Sequence, residues 1–188
     1  MSYDLFVDWK KPQSKVLTKD IVDFYAGCGL EISVHPDFAL EIDLTERSGM
    51  FPIVLSCRSK LLGGRFKKDL QAGFEIYSFD HDEPDDPAYG ISGISINLLY
   101  EIKAGNPPSF EIFNCVECLC GFVFAGAIAN ILDGIITDPQ SASVRIIPSE
   151  YEQFSRDNLP KFLDIAFSYF KSAADALSAD KIKQIEEL

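Results

Sequence analysis

The feature that most constrains the fold is an apolar stretch at residues 118–128, rich in glycine and alanine and bounded by Glu117 and Asn130. It falls well short of the roughly 20 apolar residues that a helix needs to span a bilayer. A helix over residues 119–132 would be apolar on almost every side, which is typical of a helix in a protein interior. Its small residues would allow a close approach to a sheet. We therefore expect a buried helix that packs against a sheet.

Strand and helix patterns surround this stretch. Near the N-terminus, residues 3–9 and 30–34 predict strands on either side of a helix that has Thr18 as its N-cap and ends near Gly27. Four more strand patterns follow, at residues 53–57, 74–79, 94–102 and 110–116. A hairpin turn at 105–108 is expected to join the last two. The C-terminal third predicts strands at 135–137 and 144–147, a helix over 157–177 and a helical tail over 180–188.

Two strand–helix–strand units separated by antiparallel strands indicate an α+β fold. We expect an elaborated ferredoxin-like sandwich, with a mixed or antiparallel sheet and helices mainly on one face. A chain of 188 residues is the ordinary size of one domain, so residues 1–188 are expected to form a single unit.

The charge balance excludes some classes of partner. The chain has 29 acidic and 17 basic residues, a formal net charge of −12, which disfavours direct binding to nucleic acid or to anionic membranes. No secretory signal is visible, because Asp4 comes early and Lys10 and Lys11 come late. Without such a signal, the five cysteines are expected to be reduced thiols in the cytoplasm.

A cysteine cluster lies at the start of the apolar stretch, at Cys115, Cys118 and Cys120. A CxxC pair can supply half of a zinc site or form a redox pair. The other candidate ligands stand singly along the chain: Cys28, His35, Cys57 and His81. With no second close pair and with apolar neighbours, buried core cysteines are favoured, and we expect no metal site and no cofactor.

The densest group of acidic residues lies in residues 80–86, and its members are Asp80, Asp82, Glu83, Asp85 and Asp86. A solvated hairpin loop, a partner-binding patch and a calcium loop would all be acidic. The spacing lacks the glycine of an EF-hand loop. If the protein binds a partner, these five are the residues we expect to bind it.

A basic segment covers residues 58–68 with no acid between its cations, which are Arg58, Lys60, Arg65, Lys67 and Lys68. With Gly63 and Gly64 inside it, the segment could bind an anion through cations and backbone N–H groups. It lacks the Gly-Lys-Ser/Thr ending of a phosphate-binding loop, so a solvated turn is favoured.

No catalytic motif stands out. The residues around Ser92 fail the GxSxG spacing of a nucleophile elbow. Neither of the two histidines, His35 and His81, has a neighbouring motif that marks it as a base. We therefore predict no catalytic residues and lean against an enzyme.

Several short stretches together resemble a group of uncharacterised bacterial proteins, some of which look like immunity proteins of polymorphic toxin systems. They occur in this order: Ser2-Tyr3-Asp4-Leu5, His35-Pro36-Asp37-Phe38, Ser48-Gly49-Met50-Phe51-Pro52, Gly73-Phe74-Glu75 and Ile135-Ile136-Thr137-Asp138-Pro139-Gln140. The resemblance implies a cytoplasmic protein that neutralises a cognate toxin.

Three hypotheses follow for the function. The first is a non-enzymatic binding protein, an immunity protein that recognises a basic toxin through its acidic charge. The second is a small enzyme or ligand-binding domain for an anionic small molecule held by the basic segment. The third is a structural or oligomerisation module.

Overall fold

The computed structural model describes residues 3–10, 15–86, 89–98, 109–138 and 152–186. Within them the strands are β1 (Tyr3–Lys10), β2 (Ile32–Val34), β3 (Ser48–Leu55), β4 (Leu70–Asp80), β5 (Ile91–Leu98), β6 (Ile135–Asp138) and β7 (Glu152–Phe154). The α-helices of the same residues are α1 (Thr18–Gly27), α2 (Ser109–Leu132), α3 (Leu159–Asp175) and α4 (Ala179–Glu186). The predicted α+β class is confirmed.

All seven strands belong to one antiparallel sheet, in the order β2-β3-β4-β5-β1-β6-β7. The first strand of the chain therefore lies inside the sheet, between β5 and β6. Since β5 and β6 both run antiparallel to β1, they are parallel to each other, and α2 connects them. Such a connection is a split β-α-β unit, in which the strand between the two partners comes from elsewhere in the chain.

The two faces of the sheet differ in burial. Alternate residues of β1, namely Leu5, Val7 and Trp9, are buried, and the residues between them are half-buried or exposed. The same alternation on the neighbouring strands gives an inner face, which packs against α2, and an outer face. The other three helices each contact α2. Helices mainly on one face, as predicted, are confirmed for the described residues.

Helix α2 is the buried helix that the sequence predicts. From Val116 to Ala129 its side chains are buried, apart from Glu117 and Cys118, which are half-buried. Gly121 lies so close to β5 that a Cβ atom there would collide with the side chain of Leu98. On the opposite side, a Cβ atom at Gly126 would lie 3.1 Å from Cδ2 of Leu163 on α3. Small residues thus let α2 approach the sheet and α3 together.

Aromatic side chains fill the space around α2. The rings of Phe51, Phe74 and Phe124 lie 5.1–5.6 Å apart between centroids and join β3 and β4 to α2. Phe122 of α2 stacks on Phe162 of α3 with centroids 4.9 Å apart. Each such pair adds about 0.5–1.5 kcal/mol beyond the burial of its area.

Two local predictions are wrong. Residues 110–116 belong to the first turns of α2 and not to a strand, so no strand follows the turn expected at 105–108, which itself lies outside the described residues. The segment contains neither glycine nor proline, and the helix continues through it. The N-cap of α1 is Leu17 and not Thr18, and the Asp20 carboxylate accepts the N–H of Leu17 at 2.9 Å. Thr18 is buried, and its hydroxyl donates to the carbonyl of Ile42 at 3.4 Å.

Strand β3 begins and ends earlier than the predicted 53–57, and β7 was not predicted. The helix predicted over 157–177 and the helical tail predicted over 180–188 correspond to α3 and α4. The expected strand at 144–147 and the end of the one expected at 94–102 lie outside the described residues. No helix of the described residues is long and apolar enough to cross a membrane.

Candidate functional site

The acidic segment forms the loop of the β4–β5 hairpin. Asp80 is the last residue of β4, and its side chain and those of Asp82, Glu83 and Asp85 are exposed. Backbone hydrogen bonds from His81 to Ile91, at 3.0 Å, and from Gly90 to His81, also at 3.0 Å, extend the hairpin beyond the strands. The loop is therefore solvated and held at both ends, with acidic side chains facing water.

Asp86 differs from the other acids of the loop. Its Oδ2 lies 2.6 Å from Nδ1 of His81, and both side chains are about one-third exposed. The ring of His81 packs edge-on against Phe79, with centroids 5.6 Å apart. The loop is thus tied to the last outward-facing residue of β4.

Asp8 of β1 lies on the outer face near the loop, and His81 of the loop interacts with it electrostatically. Asp8 lies opposite Gly93 of β5, which lies opposite Phe79 of β4, so all three are on the same face. A Cβ atom at Gly93 would lie 2.7 Å from Oδ1 of Asp8 and 2.6 Å from Cε2 of Phe79, so the ring and the carboxylate occupy the space above this glycine. Burial raises the pKa of the Asp8 carboxyl, and the nearby His81 opposes this more weakly.

The outer face carries acidic and apolar side chains. Asp4, Asp8 and Glu75 point to this face, and among its described strand residues only Lys10 is basic. Its exposed apolar residues are large, and the exposed fractions are 46% for Met50, 41% for Tyr77 and 44% for Ile135. Met50 and Tyr77 lie on neighbouring strands near Glu75, and Ile135 lies opposite Asp8.

The structure divides the basic segment into two parts. Arg65, Lys67 and Lys68 line a groove of about 620 Å³ together with Lys183 of α4. Arg65 also forms an ion pair with Asp175 at the end of α3. Arg58 and Lys60 are exposed and do not line this groove.

The cysteine cluster lies on α2. Cys120 is buried, and burial raises the pKa of its thiol far above the ordinary range. Cys118 is half-buried, and the side chain of Cys115 lies outside the described part of the chain. No group of three or more metal-ligating side chains occurs among the described residues. A raised thiol pKa makes Cys120 unreactive, which favours its role as a core residue.

Sequence reasoning missed Asp8, Lys183 and the pairing of His81 with Asp86. Asp8 lies near the loop only through the register of β1 with β5, and Lys183 comes from a distant helix. Alternation in β1, with Leu5, Val7 and Trp9 on one side, is the one signal that could have placed Asp8 on an exposed face.

No protein-family model, curated protein or solved structure matches the chain.

Proposed function

We propose that the protein is a non-enzymatic binding protein that recognises a basic protein partner. The observation that carries this proposal is the concentration of acidic residues in the β4–β5 loop, together with Asp4, Asp8 and Glu75 on the outer face beside exposed apolar side chains. The acidic residues of the loop, Asp80, Asp82, Glu83, Asp85 and Asp86, would form the outer part of this surface. In its most specific form, the proposal is a cytoplasmic immunity protein that neutralises a cognate bacterial toxin.

An acidic surface affects both the rate and the selectivity of binding. A surface dense in one charge attracts an oppositely charged partner over about a Debye length, which raises the association rate and repels polyanions. Toxins that act on nucleic acid are basic because their substrate is a polyanion, so an acidic inhibitor can compete for the same surface. The exposed Met50, Tyr77 and Ile135 supply apolar contact area that charge alone does not.

The test is co-expression with the product of the adjacent gene. We expect that product to be toxic alone and harmless with this protein. Changing Asp82→Asn, Glu83→Gln and Asp85→Asn together should weaken protection. Glu41→Gln, Asp157→Asn and Asp164→Asn make the matched control, because these three acids are also exposed and the change in net charge is the same. A toxic product that this protein fails to neutralise would contradict the proposal.

The groove beside α4 favours a second candidate, a domain that binds an anionic small molecule. Lys67, Lys68 and Lys183 come from two parts of the chain and meet around it. A thermal-shift series with pyrophosphate and nucleotides tests this candidate. Lys67→Gln with Lys68→Gln should abolish any shift, whereas Lys60→Gln, outside the groove, should leave it unchanged. No shift with any of these anions would count against it.

We also propose that the fold is an elaborated ferredoxin-like sandwich. The order of the four strands β4-β5-β1-β6, with α1 between β1 and β4 and α2 between β5 and β6, supports this. On this interpretation β2 and β3 are an insertion that extends the sheet beyond β4. Strand β7 extends it beyond β6 and is followed by α3 and α4.

A further inference from the structure

The centre of the outer face is a shallow trough along β5. The outward-facing residues in the middle of this strand are small, Gly93 and Ser95, whereas the strands on either side present large side chains. The ring of Phe79 covers Gly93. Ser95, the other small residue, is half-buried, so part of its surface reaches solvent, and its hydroxyl donates to Oδ1 of Asn97 within the same strand at 3.0 Å.

Two aromatic residues flank this position. Tyr77 of β4 and Phe6 of β1 both pair directly with Ser95, one from each side. Since neighbouring strands lie about 4.8 Å apart, their backbones are about 10 Å from each other across the trough. A cation above Ser95 would then lie between the two aromatic residues. Each ring attracts a cation that lies within about 6 Å of its centroid.

Carboxylates lie next to the two rings along the strands. Two residues along β5 in one direction from Ser95, Asn97 is flanked by Glu75 and Asp4. Two residues in the other direction, Gly93 pairs with Asp8. The hydroxyl of Tyr77 donates to Oε2 of Glu75 at 3.1 Å, so the ring lies beside this carboxylate. Two rings and carboxylates around one small residue match a planar cation with several N–H donors.

The charge of the surface decides the occupant. An apolar side chain would remove water from the carboxylates and offer them no N–H donor, and an anion would be repelled by them. From the geometry we infer that the trough above Ser95 binds an arginine side chain of a basic protein partner, between Tyr77 and Phe6. This inference rests on the proposed function and deepens it, because it names the contact that a charged loop alone does not define.

The direct test uses a probe and needs no partner. The blocked tripeptide Gly-Arg-Gly is titrated into ¹⁵N-labelled protein, with the citrulline peptide, which has the same shape and no charge, as the control. We expect the amide signals of Phe6, Tyr77 and Ser95 to shift with the arginine peptide, and the shifts to weaken as salt is added. Absent shifts at these residues, or equal shifts with citrulline, would overturn the inference.

Variants separate a ring contact from a general effect on the sheet. Tyr77→Thr and Phe6→Thr keep a residue that favours strands and remove the ring, so we expect each to weaken arginine-peptide binding about fivefold. Tyr77→Phe keeps the ring and should bind as the wild type does. Gln71→Thr, also exposed on the outer face but at the opposite end of β4, should have no effect. Equal losses in all four variants would overturn the inference.

Co-expression with the adjacent gene product distinguishes the two proposals. If Tyr77→Thr loses protection while Tyr77→Phe and Gln71→Thr retain it, the trough contacts the partner. If protection survives Tyr77→Thr and Phe6→Thr but is lost with the neutralised loop, the inference is wrong and the proposed function stands. If the wild-type protein gives no protection, the proposed function fails, and so does the partner named here.

Discussion

Oδ2 of Asp86 lies 2.6 Å from Nδ1 of His81, and this contact closes the acidic loop on itself. We predict that Asp86→Asn loosens the loop and lowers the free energy of unfolding by about 0.5–1 kcal/mol, the usual range for a partly exposed pair. Urea denaturation measures the loss, and faster hydrogen exchange at Tyr89 and Gly90 locates it. Asp85→Asn, an exposed neighbour with the same charge change, is the control, and the prediction fails if both variants behave alike.

Asp8 should make stability depend on pH in an identifiable direction. Burial raises the pKa of this carboxyl above its ordinary 3.8, so the folded protein binds the proton more tightly than the unfolded chain does. Stability contributed at Asp8 is therefore lost as the pH rises from the ordinary towards the raised pKa. We expect Asp8→Asn to be more stable than wild type at pH 7, and the difference to vanish below pH 3.8. Unfolding curves across this pH range test it, and a difference independent of pH would contradict it.

Gly93→Ala should destabilise the outer face. The added Cβ would lie 2.6 Å from the Phe79 ring and 2.7 Å from the Asp8 carboxylate, so one of them must move, at a cost of about 1–3 kcal/mol. Gly27→Ala is the matched control, because nothing lies within 4 Å of its added Cβ. It should be neutral or stabilising by up to about 1 kcal/mol. Thermal unfolding of both variants gives the comparison, and an equal shift in Tm would show that the space above Gly93 is not filled.

Tyr25→Phe should remove one buried hydrogen bond. The Tyr25 hydroxyl is fully buried and donates to the carbonyl of Cys120, which joins α1 to α2. Losing the donor leaves that carbonyl without this partner, and we expect a loss of about 1–3 kcal/mol in the free energy of unfolding. Tyr77→Phe, whose hydroxyl is exposed, should change stability far less. Chemical denaturation distinguishes the two, and similar losses would contradict the role of the Tyr25 bond.

Prediction from sequence succeeded where the signal is local. The run of small and apolar residues before Leu132 predicted a buried helix, and Gly121 and Gly126 show why small residues are needed there. It failed at residues 110–116, because a short apolar run fits a strand and a buried helix equally well. The buried part of α2 that follows decides between them, because the helix runs on through residues 110–116, and its packing depends on the whole fold.

The candidate site was only partly predictable for a similar reason. The acids of the loop are neighbours in sequence, so their density is visible without a structure. The position of Asp8 beside Gly93 and Phe79, and the two rings beside Ser95, depend on the register of β1 against β5. That register follows from which residues the inner face buries, and no pattern within β1 alone specifies it.

The central position of β1 has a consequence for the order of folding. Strands β2 to β5 form a meander of neighbouring pairs, whereas β1 must pair with β5 and β6, which are synthesised much later. Pairing between distant segments is slow because the loop must close before any contact forms. On a ribosome, β1 therefore waits for β5 to emerge. Phe6 and Asp8 join the outer face only then, so the complete binding surface exists only once the sheet is assembled.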